Sequence, residues 1–359
     1  MNDIASNETY FITGFPGFIA TRLVRRLAES GSRFLLLAQP ALLEQAKREV
    51  ATIVPQTNAS AGGFEILAGD ITARNLGLSQ SDLARARAET THVFHLAAIY
   101  DLAVTQETAM RVNVEGTRNV NTFAQGLSGL RHYHYVSTCY VAGKRKGNIL
   151  ETELRHDAGF RNHYEETKYL AEIEVEELKR NLPITIHRPS VVCGDSSTGE
   201  TVKYDGIYYL IRYLLKWPSV LSNFNIGNDE VSLNLVPVDF VVEAMAKLAS
   251  DRNAIGATVQ LADPRPLSTR NLFNLIAKCL VGREALVTVP PRLVESSLML
   301  PPTPAISGLP HYGVPYFFLK QQYDTSEASR LLAPHHVTCP PFASYVKTLV
   351  DYVVSHPTL

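Results

Sequence analysis

Short, largely apolar runs alternate, along the first half of the chain, with longer amphipathic stretches. Tyr10-Phe11-Ile12 reads as a buried strand, followed by a helix over Phe18 to Glu29. Phe34 to Leu37 is the next strand and Ala41 to Ile53 the next helix. Phe64 to Leu67 is a third strand, ending in Gly69-Asp70. A helix from Ser79 to Ala88 leads to the strand His92 to Leu96. A helix from Asn113 to Gln125 precedes the strand His132 to Val136, and a long helix from Tyr164 to Asn181 precedes Ile184 to His187. Strands with no polar face need cover on both sides, which only a parallel sheet with helical crossovers supplies. The pattern predicts an α/β, doubly wound sheet with right-handed connections and a ligand beyond the carboxyl ends of its strands.

After about residue 190 the pattern loosens. Ser196 to Glu200 is turn-rich, Tyr208 to Lys216 is a short apolar-aromatic helix, and Pro290, Pro291, Pro301, Pro302, Pro304, Pro310 and Pro315 argue against a long regular element over 282–318. We expect residues 1–195 to form the sheet domain with its catalytic residues. Residues 196–359 then form a small C-terminal substrate lobe partly interleaved with the end of the sheet. A length of 359 residues with 45% hydrophobic and 19% charged residues suits one such core with a lobe attached.

The segment Thr13-Gly14-Phe15-Pro16-Gly17-Phe18-Ile19-Ala20 closes the first strand and opens the first helix. Glycines there let the backbone approach a pyrophosphate, and the helix start supplies unpaired N–H donors. A G-x-x-G alone is an ordinary turn; strand before and helix after make it a dinucleotide loop in a Rossmann-type sheet. Pro16 is expected to be tolerated in the helix's first turn, where amides lack intrahelical partners. Folds that prefer NAD place an acid at the end of the second strand, and here the residues are Ala38-Gln39-Pro40. No carboxylate there repels a 2′-phosphate, so NADP is favoured and NAD stays open. The arginine that would select the phosphate is also absent. Lys47 or Arg48 could reach back from the following helix, although a solvated helix face is the plainer reading.

Tyr164 and Lys168 stand four apart at the start of a helix, on one face. A phenol is too weak an acid for work at neutral pH, and a neighbouring cation brings its pKa down. The spacing alone means little, since it arises often on exposed helices. Its weight comes from the preceding strand, which ends in Val136-Ser137-Thr138. Thr138 is the better candidate to bind a substrate carbonyl, and Ser137 the second.

Taken together these segments resemble the extended short-chain dehydrogenase/reductase superfamily. The likeness is tight over residues 8–195 and includes Gly69-Asp70-Ile71, His95-Leu96-Ala97-Ala98, Asn113-Val114-Glu115-Gly116-Thr117 and His187-Arg188-Pro189-Ser190. It implies Tyr164 as general acid, Lys168 on the ribose and tuning the tyrosine, and Thr138 on the carbonyl. Asp70 would lie at the adenine and Pro189 with its neighbours at the nicotinamide. The implied cofactor set is Thr13, Gly14, Phe15, Pro16, Gly17, Phe18, Ile19, Gln39, Asp70, Ile71, Leu96, Ala97, Ala98, Asn113, Lys168, Pro189 and Val191.

Within the superfamily the chain is most similar to the fatty acyl-CoA reductase and thioester-reductase branch, of male-sterility type. Gly69-Asp70-Ile71-Thr72 with Asn75 to Ser79, Arg188 to Asp195 with Thr198-Gly199, and Val236-Pro237-Val238-Asp239 carry that likeness. The apolar Tyr208–Trp217 segment would suit an acyl chain. The branch implies an acyl-CoA or carrier-bound thioester, or the derived aldehyde, as small-molecule substrate. With neither an adenylation nor a carrier domain, a standalone reductase is expected to take its thioester from CoA or a separate carrier. A nucleotide sugar gripped by Arg212, Arg265, Arg270 or Arg292, a hydroxysteroid-like substrate, and a non-catalytic dinucleotide sensor are the alternatives. Intact Thr138, Tyr164 and Lys168 argue against the sensor.

A net charge of -1 gives no pull toward nucleic acid or anionic membrane. Cys139, Cys193, Cys279 and Cys339 are scattered, which argues for buried thiols rather than disulfides or a zinc site, so no metal is expected. The N-terminus lacks a secretory pattern and no run reaches membrane-spanning length, so a cytoplasmic protein, compatible with a homodimer, is expected. His95 and His134 are expected as packed histidines, and Cys139 as packing. Trp217 and Tyr208-Tyr209 are core side chains or, less plainly, pocket walls.

Overall fold

The computed structural model describes residues 8–298, 311 and 313–359. Seven strands form one parallel sheet: β1 (Thr9–Thr13), β2 (Arg33–Ala38), β3 (Phe64–Ala68), β4 (His92–His95), β5 (His132–Val136), β6 (Ile184–Pro189) and β7 (Thr258–Leu261). Their spatial order is β7-β6-β5-β4-β1-β2-β3. The winding reverses between β1 and β4, and the crevice there is where a doubly wound sheet receives its ligand. Thr13 pairs with both Leu37 and His95, so the first strand ends in the middle of that crevice.

Alternate strand residues divide between two apolar layers. Tyr10, Ile12, Leu36 and Phe94 pack under helices α1 (Phe18–Ala28) and α2 (Leu43–Ile53). Phe11, Leu35, Val93, Tyr133 and Tyr135 pack on the other face, under α4 (Gly116–Gln125) and α5 (His163–Leu178), while α3 (Gln80–Glu89) contributes Ala86. Each fully buried large side chain contributes roughly 1.5–3 kcal/mol, so the two layers hold the sheet rigid beneath the crevice.

The C-terminal part of the chain returns to this core: α7 (Val238–Leu248) packs with the α1 side, and β7 is an edge strand of the sheet. A separate apolar cluster joins α6 (Ile207–Lys216), α8 (Thr269–Val281) and α9 (Val346–Ser355). Within 282–318, Pro291 opens a one-helix segment, Pro291–Leu298, a position where proline is well tolerated. Pro301, Pro302, Pro304 and Pro310 lie outside the described residues.

The expected helix at Asn113 begins earlier. A turn capped by Thr105 covers Gln106–Ala109 and runs through a π-helical stretch, Met110–Glu115, into α4. Such stretches mark places where a side chain is re-aimed. Here Asn113 is buried, accepts from the Ile99 amide at 2.9 Å and donates to the Thr167 hydroxyl at 3.0 Å. It ties the strand-end loop after β4 to α5.

Candidate active site

The loop after β1 is built for close approach. Gly14 has φ 87°, and a Cβ on it would stand 2.8 Å from the Ala97 nitrogen. The Gly17 amide donates to the Gly14 carbonyl at 2.8 Å, closing the turn. Helix α1 then starts at Phe18 with no side-chain cap and no acid in its first turn, unlike α3, α5 and α8, which Ser79, Asn162 and Ser268 cap. Its first amides and the positive end of its dipole are left for an anion. Pro16 precedes the Gly17 N-cap, so it lies outside the helix and not in its first turn as expected.

This loop forms one wall of a cleft of about 520 Å³. Gly14, Phe15, Pro16, Gly17, Phe18, Gln39, Asp70, Ile71, Ala97 and Ala98 line it, with Arg22 and Arg25 from α1. Asp70 is held by its own loop: its carboxylate accepts from the Thr72 amide at 2.8 Å and from Gln39 Nε2 at 3.4 Å. The remaining residues assigned to the cofactor do not line this cleft. Thr13 is buried and accepts from the Ala97 amide at 3.2 Å, Ile19 and Leu96 pack into the core, and Asn113 braces the loop after β4. Pro189 ends β6, and Val191 faces a second cavity instead. Lys47 pairs with Glu44 at 2.7 Å on an exposed surface, and neither it nor Arg48 lines the cleft.

The second cavity, about 270 Å³, is walled by Tyr100, Tyr140, Tyr209 and Tyr316, with Val191, Lys203 and Asp205. Of the aromatic residues weighed for a pocket, only Tyr209 lines it. Tyr208 is buried with its hydroxyl accepting from the Gly194 amide at 2.8 Å, and Trp217 is 60% exposed. Arg212 lies over the Tyr204 ring and Arg270 pairs with Asp229 at 2.7 Å; neither they nor Arg265 nor Arg292 line the cavity.

Tyr164 is buried and meets the cavity residue Tyr100 edge-on, with ring centroids 5.1 Å apart. Thr138 stands two residues past β5 and caps a short turn, where its Oγ1 accepts from the Tyr140 amide at 3.2 Å. That leaves the Thr138 proton to donate. Burial raises the Tyr164 phenol well above its usual range, and its hydrogen bond with Thr138 pulls the other way. Tyr164 and Thr138 are therefore brought together beside the cavity.

Lys168 departs from expectation. Its ammonium donates to the Tyr135 phenol at 3.0 Å and the Val136 carbonyl at 2.8 Å, and it is not among the groups that shift Tyr164. Burial lowers its pKa to about 7, opposed by Glu172. The phenol is thus perturbed chiefly by desolvation, and the lysine tunes it less than the spacing suggested.

Behind the pair lies a buried network that sequence reasoning missed. Arg188 Nε donates to Glu172 Oε1 at 2.8 Å, and Ser137 donates to the same carboxylate. This corrects Ser137 as second carbonyl donor, since its hydroxyl is turned away under α5. Glu172 falls one turn beyond Lys168, a spacing that could have revealed it. His95 bonds Thr13 at 2.8 Å and Thr117 at 3.0 Å, and His134 bonds His187 at 3.0 Å, so both are packed histidines. Cys139 is buried against the Arg188 carbonyl with its thiol pushed up, and is packing. Among the described residues no group of His, Cys, Asp or Glu is arranged to hold a metal, and no helix is long and apolar enough to cross a membrane.

Residues 12–245 match the profile of the family described as male sterility protein. The glycine betaine reductase of Emericella nidulans is 26% identical over 286 residues, covering 74% of this chain and 22% of that protein. Fatty acyl-CoA reductase 1 of Arabidopsis thaliana is 23% identical over 311 residues, covering 68% and 63%. The chain thus spans less than two thirds of the length of these curated relatives. The terminal R domain of the myxalamid PKS-NRPS pathway superposes with a TM-score of 0.82 at 24% identity, covering 98% of this chain and 92% of that one. An NAD complex of UDP-glucuronic acid 4-epimerase from Bacillus cereus gives 0.66 at 20%, covering 96% of each. With the family profile spanning more than half of its length, the chain belongs to the male sterility protein family.

Proposed function

We propose that the protein reduces an acyl thioester, or the aldehyde derived from it, using NADPH. The observation that carries this reading is the Thr138–Tyr164 pair beside a compact cavity, with an uncapped helix start in the neighbouring cleft. The residues fit a dinucleotide: Gly14 to Phe18 would hold the pyrophosphate, Asp70 and Ile71 the adenine side, and Lys168 the ribose.

Bound NADPH would supply a hydride to the carbonyl carbon. Tyr164 gives its proton to the carbonyl oxygen as negative charge develops there, and Thr138 donates a hydrogen bond to the same oxygen. As the C–S bond then breaks, the hydroxyl formed returns its proton to Tyr164 and the departing sulfur takes up a proton, so aldehyde and thiol are released. Burial keeps the phenol protonated but weakens it as an acid, and the hydrogen bond with Thr138, which pulls its pKa down, works against that penalty.

The names of two relatives, a fatty acyl-CoA reductase and a glycine betaine reductase, support an acyl-level substrate. A nucleotide sugar is disfavoured: Arg212, Arg265, Arg270 and Arg292 stay outside the cavity, and its Lys203 lies 3.3 Å from Asp205. The test is to incubate the protein with NADPH or NADH and a panel of acyl-CoAs, aldehydes and nucleotide sugars, following the reduced nicotinamide absorbance. Loss with thioesters or aldehydes is expected; loss with nucleotide sugars alone, or with none, overturns the reading.

A further inference from the structure

We propose that Arg25 recognises the 2′-phosphate of the dinucleotide, a role that rests on the NADPH-reductase reading above. Arg25 lines the dinucleotide cleft together with Gln39, at the end of β2. Helical side chains lean toward the helix N-terminus, and for α1 that end is the mouth of the cleft.

Arg25 Nε is buried without a hydrogen-bond partner. Among the described residues its guanidinium also has no carboxylate partner, so the cation it brings to the cleft wall is left for an anionic ligand. Neighbouring cations are already engaged. Arg22 also lines the cleft but pairs with Glu200 at 2.8 Å and lies over the Phe18 ring at 4.2 Å. Arg26 is held by Glu243 at 2.5 Å and Glu29 at 2.9 Å.

The anionic side of the cleft makes the same point. Asp70, Glu49 and Glu200 line it, so a dianionic phosphate needs a cation to offset them. Gln39, standing where an acid would engage ribose hydroxyls, gives its amide to Asp70 and carries no charge. A guanidinium offers paired N–H donors that match a phosphate. The cation expected at the end of β2 is therefore supplied from α1.

Calorimetric titration of the full chain tests this with NADPH, NADH, adenosine 2′-phosphate and adenosine 5′-phosphate. The wild type should bind NADPH at least about tenfold tighter than NADH. In Arg25→Ala, affinity for NADPH and adenosine 2′-phosphate should fall roughly 10- to 100-fold, the range for a hydrogen-bonded charged group. NADH and adenosine 5′-phosphate should change by less than about twofold, Arg25→Lys should be intermediate, and the unfolding midpoint should be unmoved. Equal loss for both dinucleotides in Arg25→Ala, or no loss for NADPH, overturns the role of Arg25 while leaving the reductase reading standing. Binding of neither dinucleotide by the wild type overturns both.

Discussion

Lys168 donates to the phenol oxygen of Tyr135 at 3.0 Å, its ammonium also lying 4.5 Å from the centre of that ring. The two side chains come from α5 and β5 and lock the helix that carries Tyr164 against the strand that ends near Thr138. Burial that lowers the lysine to about 7 follows from the same enclosure.

That value gives a measurable proton balance. At pH 8 the amine of the free protein is largely neutral, and ribose hydroxyls beside it would favour the ammonium. Dinucleotide binding at pH 8 should therefore take up a proton, approaching about one per site, and Lys168→Met should abolish the uptake. Calorimetry in buffers of different ionisation enthalpy reads it directly; identical apparent enthalpies for the wild type would contradict it.

Thr138 accepts from a backbone amide and is left with a proton to give. Thr138→Ala should lower kcat about 100-fold, the scale for losing one donor to a developing oxyanion, and Thr138→Ser should restore most of it. Steady-state rates on the best thioester decide this. Equal losses in both variants would point to packing of the threonine methyl instead.

Glu172 and Arg188 are both almost completely buried, and each is the other's charge partner. Glu172→Ala leaves the guanidinium and the Ser137 hydroxyl facing an empty site, and should cost about 3–5 kcal/mol in urea unfolding. A loss below about 1 kcal/mol would mean that water or a rearranged side chain compensates.

The sheet also carries a row of buried histidines. Burial lowers His92 and His132 to about 4 and His187 to about 3, and holds His134 far below its usual range. Unfolded histidine titrates near 6.5, so between pH 6.5 and about 4 the unfolded chain binds protons that the folded chain refuses. Stability should fall as pH drops through that window, by up to roughly 1.4 kcal/mol per pH unit for each histidine. Urea unfolding at pH 7, 6 and 5 should show the slope, and His134→Phe should reduce it by the share of one histidine. A flat profile for the wild type would mean these imidazoles are not neutral by burial.

How much of this was legible in the sequence varies with the range of the interaction. The strands and the glycine loop could be read because local pattern dictates them: apolar runs such as Phe34 to Leu37 need cover on both faces, and Gly14 needs a positive φ. Thr138 and Tyr164 were legible because each stands at a strand end or helix start of known order. The partners that condition them were not. Tyr135 reaches Lys168 through sheet-to-helix packing, Tyr316 joins the cavity from 152 positions beyond Tyr164 in the numbering, and Arg25 enters the cleft only because α1 lies along it. Lys47 was legible too, since the solvated helix face that was its plainer reading is what its exposed pairing with Glu44, within one turn, gives it.

Turnover depends on Tyr164 as the proton donor. Tyr164→Phe keeps the ring against Tyr100 and removes only the hydroxyl, so turnover of acyl thioester or aldehyde with NADPH should fall by about 10²–10⁴ while NADPH dissociation stays within about twofold. Turnover equal to that of the wild type, with the same dinucleotide affinity, would contradict it.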